Sequence, residues 1–477
     1  MTIDVLPDDM LLKIFHFYAN DKGARMTTWH TLVHICRRWR GIVFAYPHHL
    51  NLRLGYTGNM PWKKILDTWP DFPIVISDGG VLPRFDRCWS NIISALDSGY
   101  HDRICEIELS TIPDSHLEAI AAAMQRPFPV LTNLFLSPFS IKDDIKLVIP
   151  DSFSGGPTPR LHTIKLQRCS FPGMQKLLLS AKDLVTLSLH DIHISPDAMV
   201  TALLVMTRLK SLHLRFDSPR SRPDARSQRP PPLTRTILPA LTQFTFTGVQ
   251  EYSESLMAQI DAPLLENLSI TFHTDLIVGV PQLHRFVSQI EVFKTFRRAK
   301  VFGSWGCMYC TLSPRVDPVE SSMRLELIIS CGRVDRQLSS LARVCSWSLP
   351  PISIVEELKV DIWSLSSSRP RGDDGEPRST QWLELLGPFT AVKNLTLSSG
   401  SMSRVCDALK EIAGERVTEV LPVLENLFMF RYPPGDSRKA IKIFVTARRR
   451  SGHPVRVHGE SGDGRWRDIT KDLASGV

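Results

Sequence analysis

LHTIKL (161–166), LVTLSL (184–189) and LKSLHL (209–214) decide the fold. In each, apolar residues hold the first, fourth and sixth places, and a polar residue separates the last two. Alternation with a period of two marks a strand with one buried face. Outward from this stretch the spacing recurs at Ile104 (ICEIEL), Leu131 (LTNLFL), Leu241 (LTQFTF), Leu265 (LENLSI), Val355 (VEELKV), Val392 (VKNLTL) and Leu424 (LENLFM). Successive registers lie 23 to 37 residues apart, except for one gap of 90 between Leu265 and Val355. Two degenerate units, FRRAKV at Phe296 and LELIIS at Leu325, would divide that gap into steps of 31, 29 and 30. Five registers have a proline two residues ahead (Pro129, Pro159, Pro239, Pro263 and Pro422), where it fixes the turn into the strand and its missing N–H does no harm. One match to so loose a pattern means nothing; ten at quasi-regular spacing describe a repeat array.

Between the strands lie stretches with helical periodicity and start signals. DSHLEAIAAAMQ offers Asp114 as N-cap, and SPDAMVTALLVM offers Ser195 with Pro196 at the first helical position. PQLHRFVSQIEVF, DRQLSSLARVCSW and SRVCDALKEIA behave likewise. A strand and a helix per step resembles the leucine-rich repeat family over roughly residues 100–430. The resemblance implies an α/β solenoid with parallel strands inside, helices outside, and a core that only stacking can bury. The spacing is irregular, and the family's Asn or Cys after the strand occurs only sporadically (Cys169, for instance), so an irregular arc is expected. The repeats are assigned to 101–435, with loose insertions near 217–235 and 366–380, and 51–100 to a helical linker or N-terminal cap. Residues 436–477 read as a C-terminal cap: a helix, SRKAIKIFVTARRR, ended by Ser451-Gly452, then a strand, PVRVHG, and a frayed tail. Arg448, Arg449 and Arg450 fall in that helix's last turn, where positive charge suits the dipole.

Residues 1–50 carry the most specific signal. Leu6-Pro7 and Asp8-Asp9 start a helix, with Leu11, Leu12, Ile14 and Phe15 as an apolar stripe. Leu32, Val33, Ile35, Cys36, Trp39 and Ile42-Val43 form a second apolar face, from which Arg37, Arg38 and Arg40 point away. So small a piece buries little alone, and Leu6, Pro7, Ile14 and Trp39 exceed what it can hide, which marks an interface. These residues resemble the F-box: a Leu-Pro pair, an acidic position, an aliphatic-aromatic helix, then a helix with hydrophobic-Cys-Lys/Arg-x-Trp. The match runs through Leu6, Pro7, Leu11, Ile14, Phe15, Val33, Cys36, Arg37, Trp39 and Arg40, while ANDKGARMTTWH between the helices lacks the usual apolar anchors. With CRRWR, PHHLNLRL and WPDFPIV (69–75), the chain looks like the large fungal set of F-box proteins with irregular repeats. The resemblance implies an all-helical module that docks the Skp-type adaptor of a cullin-based ubiquitin ligase through Leu6, Pro7, Leu11, Ile14, Phe15, Val33, Cys36 and Trp39. The repeats would then hold a protein substrate. The competing reading is an ordinary helical cap on a repeat scaffold that binds one protein ligand, with no link to ubiquitin.

If the apolar strand positions face the core, the residues between them line the concave sheet. The candidate substrate face is Lys165, Gln167, Ser188, His190, His213, Arg215, Ser269, Lys359, Asp361 and Thr396. With no dominant charge, it suggests a protein epitope rather than a phosphate or lipid.

The remaining features exclude more than they assign. Of 477 residues, 43% are hydrophobic and 22% charged, which excludes a wholly disordered chain. No apolar run approaches a membrane span, and MTIDVLPDDMLLKIF carries acids where a secretory leader needs Lys or Arg. Nine cysteines fit free thiols in a reducing compartment, so a cytoplasmic or nuclear location is expected. The net charge of +8 is local: residues 208–235 contribute +6, residues 437–467 contribute +7, and the rest sums to −5. The first cluster lies mostly in SPRSRPDARSQRPPP, a solvated loop by composition, so nucleic acid is not expected as a partner. Cys307 and Cys310 with Cys331 and Cys345 look like half a zinc site, and His190-Asp191-Ile192-His193 could bind a metal. Buried thiols and solvated histidines are the readings preferred, so no metal or cofactor is assigned. There is no phosphate-binding glycine loop, no HExxH and no GxSxG elbow around Gly435-Asp436-Ser437, so no enzymatic activity is expected.

Overall fold

All ten registers become strands, for a reason visible at their entry. The N–H of the first apolar residue donates to the carbonyl three residues back: Leu131 to Phe128, Leu241 to Leu238, Leu265 to Ala262 and Leu424 to Leu421, at 3.1–3.3 Å. Pro129, Pro239, Pro263 and Pro422 take the second position of these turns, where a fixed φ is already correct. The turn's first residue is itself buried, so the repeating unit begins one apolar residue earlier than the motif suggests.

The computed structural model describes residues 5–19, 28–47, 49–68, 71–79, 86–139, 147–148, 160–170, 173–217, 235–273, 279–304, 306–315, 323–331, 333–362, 378–430, 435–460 and 465–475. Pro159 and most of both loose insertions lie outside these residues. The chain is mixed α/β with mostly parallel strands, and it divides into two units, 1–194 with 205–209, and 195–204 with 210–477.

The first unit opens with α1 (Asp8–Ala19), α2 (Thr28–Ile35) and α3 (Arg37–Ala45). Then come β1 (Leu54–Tyr56), α4 (Trp62–Thr68), β2 (Ile74–Ser77), α5 (Asp86–Leu96), β3 (Ile104–Ile112), α6 (Leu117–Ala123), β4 (Asn133–Pro138), β5 (Thr163–Gln167), α7 (Met174–Ser180) and β6 (Thr186–His190). The six strands pair in parallel and in chain order. Residues 51–100 are therefore not a purely helical linker: β1 and β2 extend the parallel run. The motif is broken in β1 by Gly58 and in β2 by Asp78, each standing where a third apolar residue is due. The buried Asp78 carboxylate accepts from the backbone N–H and the hydroxyl of both Ser110 and Thr111. Asp114 does not cap α6; a short 3-10 turn, Asp114–His116, intervenes without a side-chain cap.

The second unit holds α8 (Pro196–Leu203), β7 (Ser211–Arg215), β8 (Gln243–Gly248), α9 (Gln250–Met257), β9 (Asn267–His273), α10 (Pro281–Ser288), β10 (Arg298–Ser304), β11 (Cys307–Ser313), β12 (Arg324–Ser330) and α11 (Val334–Ser348). It continues with β13 (Glu357–Ile362), α12 (Ser379–Leu386), β14 (Asn394–Leu397), α13 (Ser399–Glu411), β15 (Asn426–Met429), α14 (Gly435–Arg450), β16 (Arg456–Glu460), β17 (Trp466–Asp468) and α15 (Thr470–Ser475). Ser195 caps α8 as its sequence suggests, accepting from the Ala198 N–H at 3.2 Å.

The 90-residue gap departs from the regular steps expected of it. Both degenerate units are strands, but in reversed spatial order: β9 pairs with β12, β12 with β11, β11 with β10, and β10 with β13. β11 runs antiparallel to both neighbours, which a short connection allows; Gly306, at φ 81°, supplies the left-handed turn between β10 and β11. The tail is also more ordered than expected. β17 pairs antiparallel with β16, Ile469 is buried, and Thr470 Oγ1 accepts from the Val457 N–H.

Candidate functional site

The three N-terminal helices close around Leu11, Phe15, Trp29, Leu32, Val33, Trp39, Ile42 and Val43, all buried. The Phe15 and Trp39 rings sit 4.7 Å apart. The break between α2 and α3 is secured by side chains: Cys36 Sγ accepts from the Trp39 N–H at 3.4 Å, and Arg40 Nε donates to the Val33 carbonyl at 2.9 Å. Arg38 reaches back to the start of α1, donating to the Leu6 carbonyl and the Asp8 carboxylate at 2.6 Å each. The arginines of CRRWR thus include two structural clips rather than a row merely pointing away. Trp29, in the stretch that departs from the F-box pattern, supplies an anchor after all. Its indole N–H donates to the Arg53 carbonyl at 3.0 Å and its ring meets Phe72 edge-on at 5.4 Å, tying the module to the strands that follow.

This packing divides the eight expected docking residues. Leu11, Phe15, Val33 and Trp39 form the module's own core, so the expectation that Trp39 is surplus apolar surface is corrected. Pro7 and Ile14 are exposed, and Leu6 and Cys36 partly so. Sequence reading missed much of the outer surface. Met10, Ile14 and Phe17 are 47%, 41% and 78% exposed, and Tyr18, Val5 and Ile35 are exposed as well. Positions 10, 14, 17 and 18 share one face of α1. Seven of the seventeen large hydrophobic side chains exposed among the described residues lie between Val5 and Tyr46. That density, in under a tenth of the chain, singles out the module's surface.

The ten candidate substrate-face residues all lie on the polar side of their strands, exposed or half-buried. In the first unit, Lys165 stands beside Ser188, and Gln167 beside His190. In the second, His213 and Ser269 flank Thr245, and Lys359 stands beside Thr396. Several are engaged within the chain. Ser211 bonds His213 at 2.7 Å, Arg215 donates to Asp217 at 2.8 Å, and Ser269 donates to Glu326 at 3.1 Å. The reading as a mixed polar face missed its aromatic half. Phe302 and Tyr309 stack at 4.4 Å beside Asp361, Lys300 lies over Phe302, Lys359 lies over Phe430, and Phe428 stacks on His458 at 4.7 Å. The motif leaves these positions open, so it carried no signal for them.

All nine cysteines are free thiols. Cys307 and Cys310 sit three apart on β11, so they face opposite sides of the sheet and cannot share an ion. A hydrogen bond with Cys310 and complete burial hold the Cys345 thiol well above its ordinary range. His190 lies 3.4 Å from the Asp191 carboxylate, while His193 is exposed. Among the described residues, no helix is long and apolar enough to cross a membrane. Compared with known protein families and with curated proteins, the chain matches none.

Proposed function

We propose that the protein is a non-catalytic substrate-recognition adaptor: an F-box-like module that docks a Skp-type adaptor, followed by an irregular leucine-rich-repeat solenoid that holds a protein substrate. It works by proximity, raising the concentration of substrate near a cullin-type ubiquitin ligase. The observation that carries this reading is the second apolar face of α1. A 12-residue helix that already buries Leu11 and Phe15 still presents Met10, Ile14, Phe17 and Tyr18 to solvent. Covering such side chains is worth about 1.5–3 kcal/mol each when burial is complete. The Leu6-Pro7 start and the Cys36-to-Arg40 string agree with it.

A second reading, a repeat scaffold whose helical end is only a cap, is favoured by the bonds from Trp29 to Arg53 and Phe72, which seat the module on its own strands. Co-purification of the full chain with the Skp-type adaptor separates the two. A docking module gives a stoichiometric complex, and Ile14→Asp/Phe17→Asp, which spares the module's core, weakens it by about tenfold or more with the circular dichroism unchanged. A well-folded wild type that captures no adaptor leaves the scaffold.

A further inference from the structure

The basic cluster at 437–467 is left without a role by the adaptor reading. Three of its cations, Lys442, Arg449 and Arg456, line a cavity of about 660 Å³ in the second unit, formed by α14, the starts of β15 and β16, and α15. Four cations line it (Lys442, Arg449, Arg456 and Lys471), against one acid, Glu425. Lys442, Val445, Thr446 and Arg449 follow one another at helical spacing, so one face of α14 forms a whole wall. The opposite face, with Ala440, Ile441, Phe444 and Arg448, is buried. Arg456 enters from the first residue of β16, beside Asn426.

Two local fields oppose this charge and do not cancel it. The C-terminal end of α14 contributes about half a negative charge near Arg449. Asp468 also lies nearby, its carboxyl held below the ordinary range chiefly by hydrogen bonds from Thr470, with His458 and then Arg456 adding to the effect. Lys442 and Arg449 form no ion pair among the described residues, and both are exposed to the cavity's solvent. The volume falls within the range of small-molecule sites, about 300–1,000 Å³, and exceeds what a single phosphate fills. None of the lining residues is aromatic, so the cavity lacks the stacking platforms that a nucleic-acid strand requires.

We propose that this cavity binds a small anion carrying two or more phosphate groups, held by Lys442 and Arg449 from α14 and by Arg456 from β16. Arginine matches phosphate oxygens in pairs, and cations on separate elements can each take a different phosphate of one molecule. The site is independent of adaptor docking. Titration calorimetry of the full chain with inorganic tripolyphosphate tests it. Saturable one-to-one binding is expected, tighter than for orthophosphate and weakening with salt. Lys442→Ala/Arg449→Ala should weaken it by about tenfold or more. Removing two exposed, ion-paired cations elsewhere, Arg126→Ala/Arg208→Ala, should change it by less than about twofold. Glu425→Gln should tighten it, and it decides the matter if the pocket pair does not fold. Absence of saturable binding, equal losses in both double variants, equal affinity for orthophosphate, or an unchanged Glu425→Gln affinity each overturns the proposal.

Discussion

Helices α1 and α10 have opposite designs. α10 has one apolar face and hides it: Leu283, Phe286 and Val287 are buried, while Pro281, His284 and Arg285 face solvent. Its first free N–H groups, on Gln282 and Leu283, donate to the Glu254 carboxylate at 2.9 and 3.0 Å. Burial raises that carboxyl's pKa, and those two bonds oppose the rise. Among its described side chains α1 buries Leu11 and Phe15, and on the neighbouring face Met10, Ile14, Phe17 and Tyr18 stay exposed. A helix with one apolar face is satisfied by its own sheet. A helix with two has a face left over, and that remainder is where a partner's contribution belongs.

Substitution on the two sides of α1 tests this most sharply and with the largest effect. Phe15→Ala empties a site packed against Trp39 and should cost the module about 3–5 kcal/mol, read as loss of protection of α1 to α3 in hydrogen exchange. Phe17→Ala, two residues on, should leave stability within about 0.5 kcal/mol, and its effect should appear in adaptor capture alone. Equal destabilisation by the two would mean that the outer stripe belongs to the fold, and the contrast with α10 would collapse.

α14 offers a third design, in which the buried stripe contains a cation. Of the three arginines in its last turn, Arg449 and Arg450 are exposed as the dipole argument expects, but Arg448 is fully buried. Its guanidinium donates to the carbonyls of Pro422 at 3.0 Å and Leu424 at 3.2 Å, with Val417 at 3.4 Å, holding the turn that leads into β15. Burial lowers its pKa, and among the described residues it forms no ion pair. Arg448→Met keeps the volume but orphans those carbonyls, so a loss of about 2–3 kcal/mol is expected in denaturant unfolding, against a negligible change for Arg450→Met. If Arg448→Met is neutral or stabilising, the guanidinium fills space and does not pin the turn.

These cases show what the sequence could and could not convey. Ten strands were legible because a one-sided core enforces alternation at Ile164 and Leu166 as firmly as at Leu427 and Met429. β2 was hidden because Asp78 takes an apolar position and is satisfied by Ser110 and Thr111, partners some 30 residues away; in β1 the equivalent position is Gly58. The reversed order of β10 and β12 depends on a tight turn at Gly306, and a repeat count carries no information about spatial order. In α1, Leu11, Leu12, Ile14 and Phe15 read as one stripe. Periodicity does not say that Ile14 falls outside, with Met10 and Phe17, when two neighbouring faces of the helix are apolar. The aromatic half of the polar face was invisible for a related reason: a motif that leaves Phe302, Tyr309 and Phe428 unspecified cannot announce them.

The smallest expected effect concerns whether the helical module titrates apart from the strands. His30 on α2 is partly buried, with its ring edge-on to Trp29 at 4.1 Å. Burial, and then the neighbouring His34, hold its pKa below the ordinary 6.5. The unfolded chain therefore takes up a proton that the folded module resists, so stability from this group is present above about pH 6.5 and falls as the pH drops through that value. Thermal unfolding of the full chain, followed by the amides of α2, should show a lower midpoint at pH 5.5 than at pH 7.5. The difference should shrink in His30→Gln and remain smaller than the loss from Phe15→Ala. A His30→Gln chain with an undiminished pH slope would assign the titration to a group other than His30.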